Sequence, residues 1–92
     1  MSAIASVQSG SITLSAGTTT ANLIITSVNA AKAYVELDGS YYDPTGYTQT
    51  DVPLALQSAR GRVWLASGSV VSAARGTAQG DLTLYFTVVE FN

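Results

Sequence analysis

A chain of 92 residues with net charge −2 has room for one domain, and it contains no cysteine and no histidine. Those absences exclude disulfides, thiolate metal sites and thiol nucleophiles, and they remove the commonest general base and metal ligand. Charged residues make up 11% of the chain and the four basic ones, Lys32, Arg60, Arg62 and Arg75, are spread along it, so no nucleic-acid-binding surface is expected.

Hydroxyls take the place of charge: there are 11 serines and 11 threonines. Such a surface suits close packing against other protein, because few charges need desolvating there. Threonine also fills outward strand faces simply because it favours strands. The opening Met1-Ser2-Ala3-Ile4-Ala5 lacks a basic region and a long apolar run, so no secretory leader is expected. No segment approaches the ~20 apolar residues of a membrane helix, so the expectation is no membrane contact and assembly in a cytoplasm.

Strand-like runs alternate with turn signals along the chain. The first is Ser11 to Ser15, closed by the Ala16-Gly17 turn. Thr19 to Val28 follows, apolar on both faces, which predicts a central strand or a bulge. Asn29-Ala30-Ala31 breaks it. Lys32 to Asp38 resumes with Ala33, Val35 and Leu37 on one face and Tyr34 and Glu36 on the other. Gly39 to Pro53 reads as a long loop around a β-turn at Asp43-Pro44-Thr45-Gly46.

Leu54 to Ala59 alternates weakly. Arg62 to Ala66 and Val70 to Arg75 form a hairpin through Ser67-Gly68-Ser69. A second loop, Gly76 to Gly80, leads to Asp81 to Phe91. There Leu82, Leu84, Phe86 and Val88 line one face and Tyr85, Val89 and Phe91 the other, so this strand lies centrally or against a neighbouring subunit. Residues 1–92 are therefore expected to form a single all-β domain, a small antiparallel β-sandwich of six or seven strands, with a barrel-like arrangement as the variant.

Chemistry is poorly represented. A serine nucleophile would need Lys32 or a carboxylate as its base, and no Gly-x-Ser-x-Gly elbow exists. Asp38, Asp43 and Asp51 could begin a calcium site, but their spacing fits no EF-hand loop and turn capping accounts for Asp43. The chain is expected to be no enzyme and to take no metal or cofactor.

Contact residues are a better prospect. Tyr41, Tyr42 and Tyr47 cluster in the long loop, where they either meet a partner or fold back on their own sheet; tyrosine offers large amphipathic contact area at low entropic cost. The sole tryptophan, Trp64, belongs to a core or an interface, or stacks on a sugar. Tyr85 and Phe91 oppose an already apolar face, and a domain this small has little second core to hide them. These six are the candidate partner-contact residues, and a homo-oligomer, a trimer in the first instance, is expected.

Three stretches carry a family resemblance. They are Ser6-Val7-Gln8-Ser9-Gly10-Ser11-Ile12-Thr13-Leu14, the run Ala21 to Val28 entering Asn29-Ala30-Ala31-Lys32-Ala33-Tyr34-Val35, and the ending Thr87-Val88-Val89-Glu90-Phe91. Together they resemble short virion proteins of tailed bacteriophages, encoded among head and tail structural genes, in which an Ile-x-Ser-Ile-Gln-x-Gly-x-Ile-Thr opening and a Val-Val-Glu-Phe close recur. The Tyr-rich segment has no counterpart in them. The resemblance implies a virion component whose partners are the major capsid protein or tail proteins. Two functions follow from it: a capsid decoration (cement) protein bridging capsid subunits, and a tail, fibre or receptor-binding module using residues 39–53.

Overall fold

The computed structural model describes residues 4–43 and 59–92. Six strands run through them: β1 (Ile4–Leu14), β2 (Thr20–Ile24), β3 (Ala33–Asp43), β4 (Gly61–Ser67), β5 (Val70–Arg75) and β6 (Asp81–Phe91), with a 3-10 turn at Ala30–Lys32. They form two three-stranded antiparallel sheets, ordered β1-β6-β3 (sheet A) and β2-β5-β4 (sheet B). The protein is a small all-β sandwich, and the barrel-like variant is not what forms.

The core lies where the two inner faces meet. Sheet A contributes Ile12 and Leu14 from β1 and Leu82, Leu84, Phe86 and Val88 from β6; sheet B contributes Val71 and Ala73 from β5. Leu23, Val35, Val63 and Leu65 close around them, half-buried. Strand β6 is central, as its two apolar faces predict, and all four residues of its inner face are buried. Each fully buried aliphatic side chain of this kind stabilises the fold by about 1.5–3 kcal/mol.

Several boundaries differ from the sequence expectation. Strand β1 begins at Ile4 rather than Ser11 and passes through Gly10 without turning. Gly10 pairs with Phe86, and a Cβ at Gly10 would stand 2.9 Å from the Phe86 ring, so glycine here makes room for a neighbour's side chain. Strand β2 ends at Ile24, short of Val28. Beyond it, Ile25 and Val28 donate their backbone N–H groups to Ser69 and Gly68 at the tip of the β4–β5 hairpin. The Gln8 side chain completes the segment by donating to the Thr26 carbonyl at 2.8 Å and accepting from its N–H at 3.1 Å. One side chain of sheet A thus takes the place of a strand partner for residues that leave sheet B.

The expected loop from Gly39 is corrected for its first five residues. Gly39, Ser40, Tyr41, Tyr42 and Asp43 pair with Tyr85, Leu84, Thr83, Leu82 and Asp81 and form the second half of β3. A register shift between Leu37 and Gly39 inserts Asp38 as an extra residue, and this bulge allows pairing to continue past a glycine. Of the weakly alternating run expected at Leu54 to Ala59, residues 54–58 lie outside the described residues, as do Pro44 to Pro53 with Tyr47 and Asp51.

The turns at one end are tied together by a single buried cation. Arg75 is 7% exposed. Its Nε donates to the Thr18 carbonyl at 3.0 Å, and its Nη2 donates to those of Ser15 at 3.1 Å and Gly80 at 2.7 Å. Its backbone N–H reaches Thr19, and the Asp81 carboxylate accepts from the Ala16 N–H at 2.7 Å. The β1–β2 and β5–β6 connections are thereby held as one unit. Among the described residues no buried side-chain nitrogen or oxygen lacks a partner.

Candidate functional site

The period of two decides which side chains reach the surface. On the outer face of sheet A the register aligns side chains from three strands into rungs about 6.8 Å apart. One rung is Val7, Val89 and Tyr34; the next is Ser9, Thr87 and Glu36; then Ser11, Tyr85 and Gly39; then Thr13, Thr83 and Tyr41. Aromatic or aliphatic groups therefore share the face with hydroxyls. Ser9 and Thr87 are hydrogen-bonded at 3.1 Å, Thr13 and Thr83 at 3.0 Å, and Thr87 also donates to the Asp38 carboxylate.

Large side chains on this face are left open. Tyr41 is 61% exposed, Val7 58%, and Tyr34 and Tyr85 each 47%. Tyr34 stacks on Phe91 with ring centroids 5.9 Å apart and planes at 24°, a flat aromatic pair at the β6 C-terminal end. Beside Tyr85, Gly39 offers no side chain, and a Cβ there would meet nothing within 4 Å. The face thus has a notch next to a half-exposed ring.

The candidate residues are distributed as follows. Tyr41, Tyr85 and Phe91 share the outer face of sheet A. Tyr42 does not join them, because neighbours in a strand point to opposite faces. It packs against the core, and its hydroxyl donates to the Gln79 carbonyl at 2.6 Å. Tyr47 lies outside the described residues. Trp64 stands on the outer face of sheet B, 38% exposed, with the Arg62 guanidinium 5.1 Å from its ring centroid. Opposite it, Ser72 is buried between strands and donates to the Asn22 side chain at 2.6 Å.

Two features escape the sequence reading. The periodicity gives Tyr34 a face but no role, and in the structure it belongs to the same exposed surface as Tyr41 and Tyr85. The arginines, scattered in the chain, converge: Arg60, Arg62 and Arg75 line one open depression of about 340 Å³ with Gly61, Ala74 and Gly76. Arg60 and Arg62, two residues apart at the start of a strand, were the available signal. Arg75 arrives through the Gly61–Arg75 pairing, which only the sheet register reveals.

The two tyrosines adjacent in sequence should separate in experiment. Tyr42→Phe removes a half-buried hydrogen bond and is expected to cost about 1 kcal/mol, lowering the melting temperature by about 4–8 °C. Tyr41→Ala, on the open face, should stay within about 0.5 kcal/mol of the parent. Thermal melts of the two variants check this, and equal losses would mean that Tyr41 is also packed.

Among the described residues no group of three or more Asp, Glu, His or Cys side chains is placed to hold a metal ion. What the outer faces offer is contact area. Comparison with protein-family models, with curated proteins and with solved structures gives no match.

Proposed function

We propose that the chain is an accessory structural protein of a tailed-bacteriophage particle, of the capsid-decoration type, that works by packing its outer sheet faces against neighbouring protein. The observation that carries the reading is the outer face of sheet A, where Tyr34, Tyr41, Tyr85 and Val7 are exposed together among hydroxyls, with Glu36 and Asp38 as the carboxylates in its middle. Tyrosines of this kind are characteristic anchors of protein interfaces, and hydroxyls desolvate at lower cost than charges. The resemblance of the opening, the Ala21–Val35 region and the Thr87–Phe91 ending to tailed-phage virion proteins supplies the biological setting. In that setting the partners are the major capsid protein and other copies of the chain, and the place of action is the virion.

The test uses particles made without the protein and purified chain added back. Tyr41→Ala combined with Tyr85→Ala is expected to keep its melting temperature and to lose particle binding by about 30- to 1000-fold, at ~1–2 kcal/mol per ring. Unchanged binding removes this face from the account. Quantitative mass spectrometry of the particles then counts copies. Hundreds per particle fit decoration, whereas a few dozen or fewer point to a tail or fibre module, in which case the double variant should assemble yet fail to adsorb to host cells. Absence from the particles ends the proposal.

A further inference from the structure

Charge is divided between the two sheets. The strands of sheet A carry Glu36, Asp38, Asp43, Asp81 and Glu90 and no basic residue, and the exposed Lys32 directly precedes β3 at one end of the sheet. The strands of sheet B carry Arg62 and Arg75 and no carboxylate, and Arg60 directly precedes β4. Glu90 is engaged by the Ser6 hydroxyl and the Asn29 N–H, whereas Glu36 and Asp38, the latter accepting from the Thr87 hydroxyl, stand exposed in the middle of the outer face of sheet A, beside Tyr85 and Tyr34. On the other side of the molecule Arg60 and Arg62 are exposed, Arg62 held over Trp64, and Ile24, on the far edge strand at the opposite end of the same face, is 83% exposed. The middle of the sheet A face therefore pairs apolar contact area with negative charge, and the sheet B face pairs it with positive charge.

We infer that the chain binds a second copy of itself front to back, the Arg60–Arg62–Trp64 face of one copy against the Glu36–Asp38–Tyr85 face of the next. Charge complementarity selects this pairing. Two sheet A faces brought together would juxtapose carboxylates, and two sheet B faces would juxtapose guanidiniums, which is costly in either case. The contact is heterologous, and because the faces point away from each other it propagates as an open stack instead of closing a small ring. The size of the faces sets its strength. Three strands at ~4.8 Å spacing and six residues at ~3.4 Å give sheet B a face of about 300 Å². Doubled, that is well under the roughly 1,200 Å² of a standard stable interface. The contact is therefore weak, salt-sensitive and dependent on high local concentration, as on a crowded particle surface. The inference rests on the reading of these faces as protein-contact surfaces, but it needs no particle.

The experiment is sedimentation velocity on the isolated chain at low ionic strength, across concentrations up to about 1 mM, with circular dichroism to verify folding. The parent protein should show a weight-average mass that rises with concentration without reaching a plateau, and that falls back to the monomer in 0.5 M salt. Arg60→Glu/Arg62→Glu makes both faces acidic and Glu36→Arg/Asp38→Arg makes both basic, so each variant alone should remain monomeric. Mixed in equal amounts they should associate again, because every contact in the mixture then joins opposite charges. A monomeric parent protein throughout the range overturns the inference. So does association that survives Arg60→Glu/Arg62→Glu, a mixture that fails to associate, or a discrete trimer indifferent to salt. Loss of particle binding with self-association intact would bear on the particle reading alone, and the reverse result on the stacking contact alone.

Discussion

Replacing Phe86 with alanine is expected to remove about 3–5 kcal/mol of stability, the largest loss available from one apolar side chain among the described residues. Phe86 is 1% exposed and is the largest of the fully buried side chains. A domain of this size has roughly 5–14 kcal/mol in total at ~0.05–0.15 kcal/mol per residue, so the variant should sit near the edge of folding at 37 °C. The ring also has a specific neighbour in Gly10, whose absent Cβ would lie 2.9 Å from it. Gly10→Ala should therefore cost about 1–3 kcal/mol by overpacking, but clearly less beside Phe86→Leu, which clears that space. Urea denaturation of the four proteins of this cycle measures the coupling. Strict additivity would show that the ring and the strand opposite adjust independently.

Arg75→Met is expected to cost about 3 kcal/mol, a drop of roughly 15 °C in melting temperature. The substitution keeps an unbranched stem of similar length. It leaves the carbonyls of Ser15, Thr18 and Gly80 facing a thioether where three donors had been. Burying a guanidinium has its own desolvation cost, which methionine relieves, and this offsets part of the loss. Orphaned carbonyls on two different turns outweigh it, because both turns must then loosen to reach water. Arg75→Lys should recover less than half, since one ammonium cannot serve carbonyls arrayed around a planar fork. Chemical denaturation checks the stability. Hydrogen exchange at the Gly17 N–H, which bonds to Ala78 across the same two turns, checks the mechanism. Protection at Gly17 equal to that of the parent would show that the turns hold without the arginine.

Strand β6 was legible from its residues alone, because Leu82, Leu84, Phe86 and Val88 alternate without interruption and the opposite face is also partly apolar. That is the signature of a strand with partners on both sides. Gly10 and Gly39 misled for a common reason. Glycine beside serine is the usual text of a turn, yet Gly10 sits in mid-strand to admit a ring from β6 and Gly39 follows a bulge. Both causes depend on pairing with β6, out of reach of a local pattern. The contact residues show the same division. Tyr85 and Phe91 follow from periodicity within β6. Tyr41 and Tyr42 fall on opposite faces once their segment is known to be a strand, and that depended on the bulge. The separation of charge between sheets was written in the sequence only after the strands were sorted by sheet.

The place of β6 in sheet A also governs when the fold can form. Its neighbours β1 and β3 do not pair with each other, and each waits for β6. Partners in the β1–β6 ladder, such as Thr13 with Thr83 and Ser6 with Glu90, are 70 and 84 residues apart. At ~5–20 residues per second of synthesis, the interval between the end of β3 and the arrival of β6 is on the order of 2–8 s. Throughout it, two eleven-residue strands have been made and have no permanent partner. Such long-range closure places folding in the millisecond-to-second range once the chain is complete. The interval is also when unpaired strand edges invite wrong pairing. β1, the longest exposed of these, is threaded with serine and glycine rather than with a continuous apolar run, a composition that gives a waiting strand little to aggregate through.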